Sequence, residues 1–119
     1  MTSMNAHFIQ RTHGSGLLFT LDRFVENPIG HVIFIQGLFE ELNTNRHVFT
    51  RVANQLLAHN FHSTLFDYYG TGDSQGDFSQ VTFTSCQQDI IQQIERIKQQ
   101  SELPVSLIAY GTGALLLTS

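Results

Sequence analysis

The sequence predicts an α/β fold with three layers, in which a mostly parallel sheet lies between helices on both faces. Apolar, β-branched segments alternate with amphipathic segments along the chain, and residues 31–37 are apolar almost throughout. A strand that is apolar on both faces is typical of a parallel sheet covered by helices on each side. Strands that alternate with helices favour right-handed crossovers in a doubly wound sheet.

Composition narrows the classes of function. The chain has 119 residues, a net charge of −4 and 13% charged residues, which suits one modest domain and argues against a nucleic-acid partner. The single cysteine, Cys86, excludes an internal disulfide. No apolar run approaches the ~20 residues of a membrane span, and no signal peptide is recognisable, so the expected location is the cytoplasm. No cofactor is expected.

The first three strands are predicted at residues 7–11, 17–24 and 31–36. A turn rich in glycine and serine separates the first two strands, and Pro28 and Gly30 interrupt regular structure before the third. The third strand does not alternate between apolar and polar residues, so we expect it in the centre of the sheet.

A helix is predicted at residues 44–58. The Asn43–Thr44–Asn45 sequence provides side chains that cap helices, and Val48, Val52 and Leu56 follow at a spacing of four residues. Asn60 tolerates the left-handed backbone conformation of a helix exit, so the helix is expected to end there.

The second half of the chain repeats this alternation. A strand at residues 62–67 precedes a long loop, and a helix follows at 83–100, with an apolar stripe that includes Cys86 as a buried thiol. A strand at 104–109 leads into a third helix. The predicted polar face of the second helix is formed by glutamines, namely Gln87, Gln88, Gln92, Gln93, Gln99 and Gln100.

The loop DYYGTGDSQGD at residues 67–77 does not match the usual nucleotide-binding patterns. A dinucleotide fingerprint requires glycine where Gln75 stands, and no Gly-Lys-Ser/Thr sequence follows for a phosphate loop. Turn chemistry is the favoured interpretation of its polar residues, since no base stands near Ser74 in sequence. No metal site is expected, because His59 and His62 are interpreted as turn residues.

The sequence AYGTG at residues 109–113 follows the last strand as a nucleophile elbow would. Such an elbow reads G-x-S-x-G and holds its nucleophile on the sharp turn between a strand and a helix. The middle position here is Gly111, which has no side chain.

Two segments resemble a known family. The D-x-x-G-x-G-x-S loop, followed later by an elbow, resembles the first half of an α/β-hydrolase. The sequence QGLFEELNTNRHVF at residues 36–49 is similar to a pattern H-P-F-x-E-E-x-N-x-x-R, with Glu40, Glu41, Asn43 and Arg46 in register. That pattern belongs to the second of two hydrolases associated with the exosortase A system of Gram-negative bacteria, and the similarity extends from His7 onward.

The resemblance implies an incomplete α/β-hydrolase fold. Residues 1–119 would be the N-terminal portion of a single domain, with strands one to five and the helix after the elbow. Gly111 would occupy the nucleophile position, and the backbone N–H groups of Leu38 and Thr112 would form the oxyanion hole. Loop residues that would line the site are Gln36, Gly37, Glu40, Glu41, Asp73 and Ser74. Helix-dipole stabilisation is the alternative role for the two glutamates.

Three functions stay open from the sequence. The first is a truncated, catalytically incomplete relative of the exosortase-associated hydrolases. The second is a non-catalytic binding or scaffolding member, and the third is an active esterase-like hydrolase acting on an unknown small molecule. The resemblance also implies that the last strand, from Val105 to Tyr110, lies beside the third strand. It further implies that no sixth strand covers the other edge of the last strand, so the chain is expected to self-associate through that edge.

Overall fold

The computed structural model of the chain describes residues 2–37, 41–109 and 111–117, without the side chains of residues 41–47, 112 and 115. Five strands form one sheet in the order β1-β2-β4-β3-β5. Two helices and two short 3₁₀ segments complete the described part. The elements are β1 (Ser3–Gln10), β2 (Leu17–Phe24), β3 (Gly30–Ile35), α1 (Glu41–Ala58), β4 (Phe61–Phe66), the 3₁₀ turn Phe78–Gln80, α2 (Phe83–Gln100), β5 (Val105–Ala109) and the 3₁₀ helix Gly111–Leu117.

The sheet is mixed, and four of its five strands point the same way. β3 pairs in parallel with β4 and with β5, whereas β2 runs antiparallel to both β1 and β4. β3 lies between β4 and β5, and all six of its residues are buried. The predicted fold class is therefore confirmed, and the third strand is an interior strand that is covered on both faces, as predicted.

The helices cover opposite faces of the sheet, because successive side chains of β3 point to opposite sides. Val32 and Phe34 pack with Phe49 and Ala53 of α1. The alternate residues Ile33 and Ile35 pack on the α2 side. Burial of each such side chain contributes roughly 1.5–3 kcal/mol, so these two clusters provide the main packing energy of the layers. The α2 cluster comprises Ile33, Ile35, Phe66, Tyr68, Cys86, Ile90, Ile97 and Leu116.

Two predicted boundaries in the first half need correction. β1 begins at Ser3, earlier than expected, because its residues pair with β2 along the whole strand although most are exposed. α1 begins at Glu41, so Asn43, Thr44 and Asn45 lie within the helix and do not cap it. The helix exit is confirmed, since Asn60 has a φ of 67°.

The bounds of α2 agree with the prediction, and the Thr82 side chain caps its start by accepting a hydrogen bond from Ser85 N. The predicted polar face is partly wrong, because Gln92 and Gln93 are buried. Gln92 binds the end of β1, donating to Gln10 O at 2.7 Å. The long β1–β2 hairpin covers this side of the helix, and sequence periodicity could not reveal that cover. No described helix has the length and apolar character needed to cross a bilayer.

Candidate functional site

The carboxyl ends of β3 and β4 and the 3₁₀ helix after β5 meet at one end of the sheet, where open α/β sheets usually bind ligands. Gly113 is buried there, and a Cβ atom added to it would lie 2.6 Å from Gln36 O and 2.8 Å from Ile35 O. Only glycine fits so close to the β3 backbone. The turn that begins at Gly111 is therefore held directly against the end of β3.

Gln36 joins the ends of β3 and β4. Its amide Nε2 donates to Phe66 O at 2.5 Å and to Asp67 Oδ1 at 3.1 Å, and Tyr68 Oη donates to Gln36 O at 2.7 Å. Burial, with the nearby Cys86 and Asp89 groups, raises the pKa of the Tyr68 hydroxyl, so this hydroxyl stays protonated as a donor. The Gln36 side chain is buried, and its hydrogen bonds hold the ends of β3 and β4 together beside the turn.

The loop after β4 folds around Asp67. Its carboxylate Oδ2 accepts a hydrogen bond from Asp73 N at 3.0 Å, and Gly72, with a φ of 52°, packs against the same oxygen. The Ser74 hydroxyl donates to Asp67 O at 2.7 Å and accepts from Phe19 N at 2.8 Å. Ser74 thus ties β2 to the end of β4, and its proton is already engaged in a structural hydrogen bond.

A second set of contacts fixes this loop to α2. Asp89 accepts a hydrogen bond from Tyr69 N at 2.9 Å, and Arg11 Nε lies 3.4 Å from the other carboxylate oxygen. The Arg11 guanidinium also stacks on the Tyr69 ring, 4.0 Å from its centroid. Burial raises the pKa of Asp89, although the Tyr69 N–H and Arg11 act against that shift. Asp89 was not predicted from the sequence, although an acid beside Cys86 and Ile90 in the apolar stripe indicates a buried carboxylate.

The structure does not bring all the predicted site residues together. Gly37 is buried directly after β3, but Leu38 and Glu40 lie outside the described residues. Glu41 begins α1 and Thr112 lies in the 3₁₀ helix, and neither side chain is described. At this end of the sheet, the described residues provide mainly the backbone of the turn that begins at Gly111.

Side-chain chemistry near this end is limited. Cys86 is fully buried, and burial, followed by the nearby Asp89, raises its pKa to about 12, so the reactive thiolate is not formed near neutral pH. The buried thiol predicted from the sequence is confirmed. His62 lies in β4 and accepts a hydrogen bond from Val25 N, which corrects its assignment to a turn. Within the described ranges, no three His, Cys, Asp or Glu residues are grouped to hold a metal ion.

The sequence matches one family model, described as serine aminopeptidase S33, over residues 26–119. No curated protein matches the chain significantly. The match covers most of the chain and includes both the loop after β4 and the elbow position.

Solved structures of low sequence identity share the fold. An α/β serine hydrolase homologue from Coxiella burnetii is 18% identical, with a TM-score of 0.75 over 94% of this chain and 54% of that chain. An α/β serine hydrolase without a lid from Xanthomonas campestris is 19% identical, with a TM-score of 0.78 and coverages of 96% and 53%. Est1E from Butyrivibrio proteoclasticus, solved with ferulic acid bound, is 21% identical, with a TM-score of 0.77 and coverages of 94% and 45%. The chain therefore spans about half the length of the structures that it matches.

Proposed function

We propose, since this chain belongs to the serine aminopeptidase S33 family, that it supplies the N-terminal half of an α/β-hydrolase-like domain and is catalytically incomplete. The observation that carries this proposal is the residue at the start of the 3₁₀ helix after β5. It is Gly111, at the position where the elbow pattern has its nucleophile. Without a hydroxyl or thiol at that position, no acyl-enzyme can form.

The remaining parts of the proposed site are backbone groups. The oxyanion donors proposed at Leu38 and Thr112 are backbone N–H groups, which do not depend on side-chain identity. A carbonyl compound bound by these groups would be held without covalent attack.

We also propose that the chain is related to the exosortase-associated hydrolases. The support for this relationship is the register of Glu40, Glu41, Asn43 and Arg46 with that family's pattern, together with the glycine-rich loop after β4. A bacterial source, a cytoplasmic location and a role at an exopolysaccharide or protein-sorting locus belong to this proposal.

Ester turnover tests the proposed loss of catalysis. We expect the chain to hydrolyse p-nitrophenyl acetate and butyrate no faster than buffer, because Gly111 has no side chain to attack the ester. We expect the Gly111→Ser variant to be equally inactive, because an added hydroxyl alone supplies no base to activate it. Ala114→Ser, at an exposed position of the same 3₁₀ helix, is the matched control for an added hydroxyl. Turnover by the unmodified chain that a serine-directed phosphonate abolishes would contradict the proposal, as would turnover gained by Gly111→Ser alone.

Self-association is a second proposed property, and an apolar groove favours it. The groove has a volume of about 330 Å³ and lies between α2, β5 and the 3₁₀ helix. Ile91, Leu107 and Leu117 line it and are each more than one-third exposed. β5 pairs with β3 on one side and with no other described strand. We propose that a second copy of the chain covers this edge, through the strand from Val105 to Tyr110, although Tyr110 itself lies outside the described residues.

A further inference from the structure

Arg23 on β2 is a largely buried cation whose guanidinium is not fully hydrogen-bonded by the described residues. It is 7% exposed, and its Nη1 atom has no hydrogen-bond partner in the described part of the chain. Burial lowers the pKa of this guanidinium, which reflects the cost of placing its charge away from water. Buried charges in proteins are normally paired, so an unpaired one calls for an occupant of opposite charge.

The neighbouring acid cannot supply that charge. Asp22 points to the opposite face of the sheet, where Arg96 donates to both of its carboxylate oxygens at 2.9 and 3.0 Å. Thr64 and His7 occupy further positions on the same carboxylate. Alternation along β2 therefore places the paired acid on the α2 side and leaves Arg23 alone on the α1 side.

A second unpartnered polar group lies beside Arg23. Ser63 of β4 is the residue directly opposite Arg23 in the antiparallel β2–β4 ladder, so both side chains are on the same face. Ser63 is fully buried, and its Oγ atom also lacks a hydrogen-bond partner among the described residues. Two polar groups without partners among the described residues therefore lie side by side on the α1 face of the sheet.

Arg23 lines a cavity of about 230 Å³, which lies between the start of β1, the end of β2 and the second half of α1. A water molecule takes about 30 Å³ of liquid volume, so the cavity has room for a small polyatomic ion with some water. The lining contains no carboxylate, and it adds hydroxyl and amide donors to the guanidinium. The lining residues are Thr2, Ser3, Met4, Arg23, Asn54 and Leu57.

We propose that this cavity binds a small oxyanion of the phosphate class. The Arg23 fork matches the oxygen spacing of phosphate, and the Ser3 hydroxyl and the Asn54 amide of the lining can donate further hydrogen bonds. The ligand is either free phosphate or the phosphate group of a small monoester, since the cavity opens to solvent past the exposed side chains of Thr2, Met4 and Asn54. The site lies where β4 begins, at the opposite end of the sheet from Gly111, so it is separate from the proposed elbow.

Titration of the full chain with inorganic phosphate, at an ionic strength held constant with chloride, tests this site. We expect saturable one-to-one binding by calorimetry and a matching change of the Arg23 side-chain NMR signal. Arg23→Met should weaken binding about tenfold or more, because it removes a charge-assisted contact. Asn54→Leu, which removes an amide donor from the lining, should weaken binding severalfold. Arg51→Met, which removes an exposed arginine of α1, should bind as the unmodified chain does.

Urea unfolding of Arg23→Met shows whether weaker binding comes from the lost guanidinium or from an unfolded variant. Without phosphate, we expect its urea midpoint to equal or exceed that of the unmodified chain, since it removes an unpaired buried charge. Phosphate should raise the midpoint of the unmodified chain only. No saturable binding, or equal binding by Arg23→Met, would overturn the proposal. Phenyl phosphate separates the two ligand sources, because tighter binding than phosphate indicates a monoester and equal or weaker binding indicates the free ion.

Discussion

Gly111 and Gly113 stand two residues apart in the turn after β5, and the missing side chain has a different consequence at each. At Gly113 it lets the turn approach the β3 carbonyl oxygens, and at Gly111, on the proposed function, it removes the group that would attack a substrate. The sequence predicted the second consequence, because the elbow pattern names that position. It could not predict the first, since the close approach to Gln36 arises from the way that β5 and β3 pair.

Ser74 gives a test at the same scale. Ser74→Ala removes an acceptor for Phe19 N and a donor to Asp67 O, and we expect it to lower the free energy of unfolding by about 1–3 kcal/mol. Urea unfolding followed by circular dichroism measures this change, and Ser79→Ala, at an exposed position of the 3₁₀ turn, should leave stability within ~0.5 kcal/mol. Equal stabilities of both variants would show that Ser74 does not tie β2 to β4.

At the scale of elements, α2 is attached to the sheet by a buried polar network as well as by its apolar stripe. Arg96 binds the Asp22 carboxylate of β2, and Thr64 of β4 donates to the same group at 2.5 Å. Because the Thr64 proton faces Asp22, the His31 Nε2 atom, 2.7 Å from the Thr64 hydroxyl, must be the donor in that contact. The sequence predicted the bounds of α2 and its apolar residues. It could not predict this network, because its members come from separate strands.

The network makes stability depend on pH. Burial lowers the pKa of His31 from 6.5 to about 4, so between these values the unfolded chain binds a proton that the folded chain excludes. Stability should therefore fall as pH drops through this window, by up to ~3 kcal/mol. Burial alone would raise the pKa of Asp22, but the contacts with Arg96, Thr64 and His7 outweigh burial and lower this pKa. The contribution of Asp22 to stability is therefore lost only when the pH falls below the ordinary aspartate pKa of 3.8.

His31→Gln isolates this effect. We expect the variant to lose much less stability than the unmodified chain between pH ~7 and ~4.5, because the group with the strongly lowered pKa is gone. Burial also lowers the pKa of His62, which remains in the variant and accounts for the residual slope. Urea unfolding at a series of pH values gives the slope. His59→Gln, at an exposed turn position, should keep the slope of the unmodified chain. A slope unchanged by His31→Gln would show that His31 is not held neutral in the folded state.

At the scale of the whole molecule, the sheet order and the two helical layers agree with the fold class expected from alternating strands and helices. The resemblance to α/β-hydrolases also implied that the last strand lies beside the third, and β5 does pair with β3. The fold class could be predicted from the sequence because a continuous apolar strand and two apolar helical stripes directly indicate which residues are buried. The length of β1 could not be predicted, because β1 is held by backbone pairing with β2 and most of its side chains are exposed.

The β5 edge leads to a prediction for the whole molecule. Leu107 faces the apolar groove and is 37% exposed, so Leu107→Lys should suppress self-association by placing a charge on the edge strand. Size-exclusion chromatography with light scattering over a range of concentrations measures the mass. Ile29→Lys makes the same chemical change at an exposed position before β3, and it should associate as the unmodified chain does. A monomeric unmodified chain at every concentration would contradict the proposed interface.

The most direct test of the central claim, that this hydrolase-like chain lacks a nucleophile, is its intact mass after incubation with a fluorophosphonate. This reagent forms a stable bond with an activated serine, and an active serine hydrolase serves as the positive control. We expect the mass of the chain to stay unchanged, because Gly111 has no side chain to react and the Ser74 hydroxyl is engaged in structural hydrogen bonds. A stoichiometric adduct that maps to one residue of the folded chain and disappears on unfolding would contradict the claim.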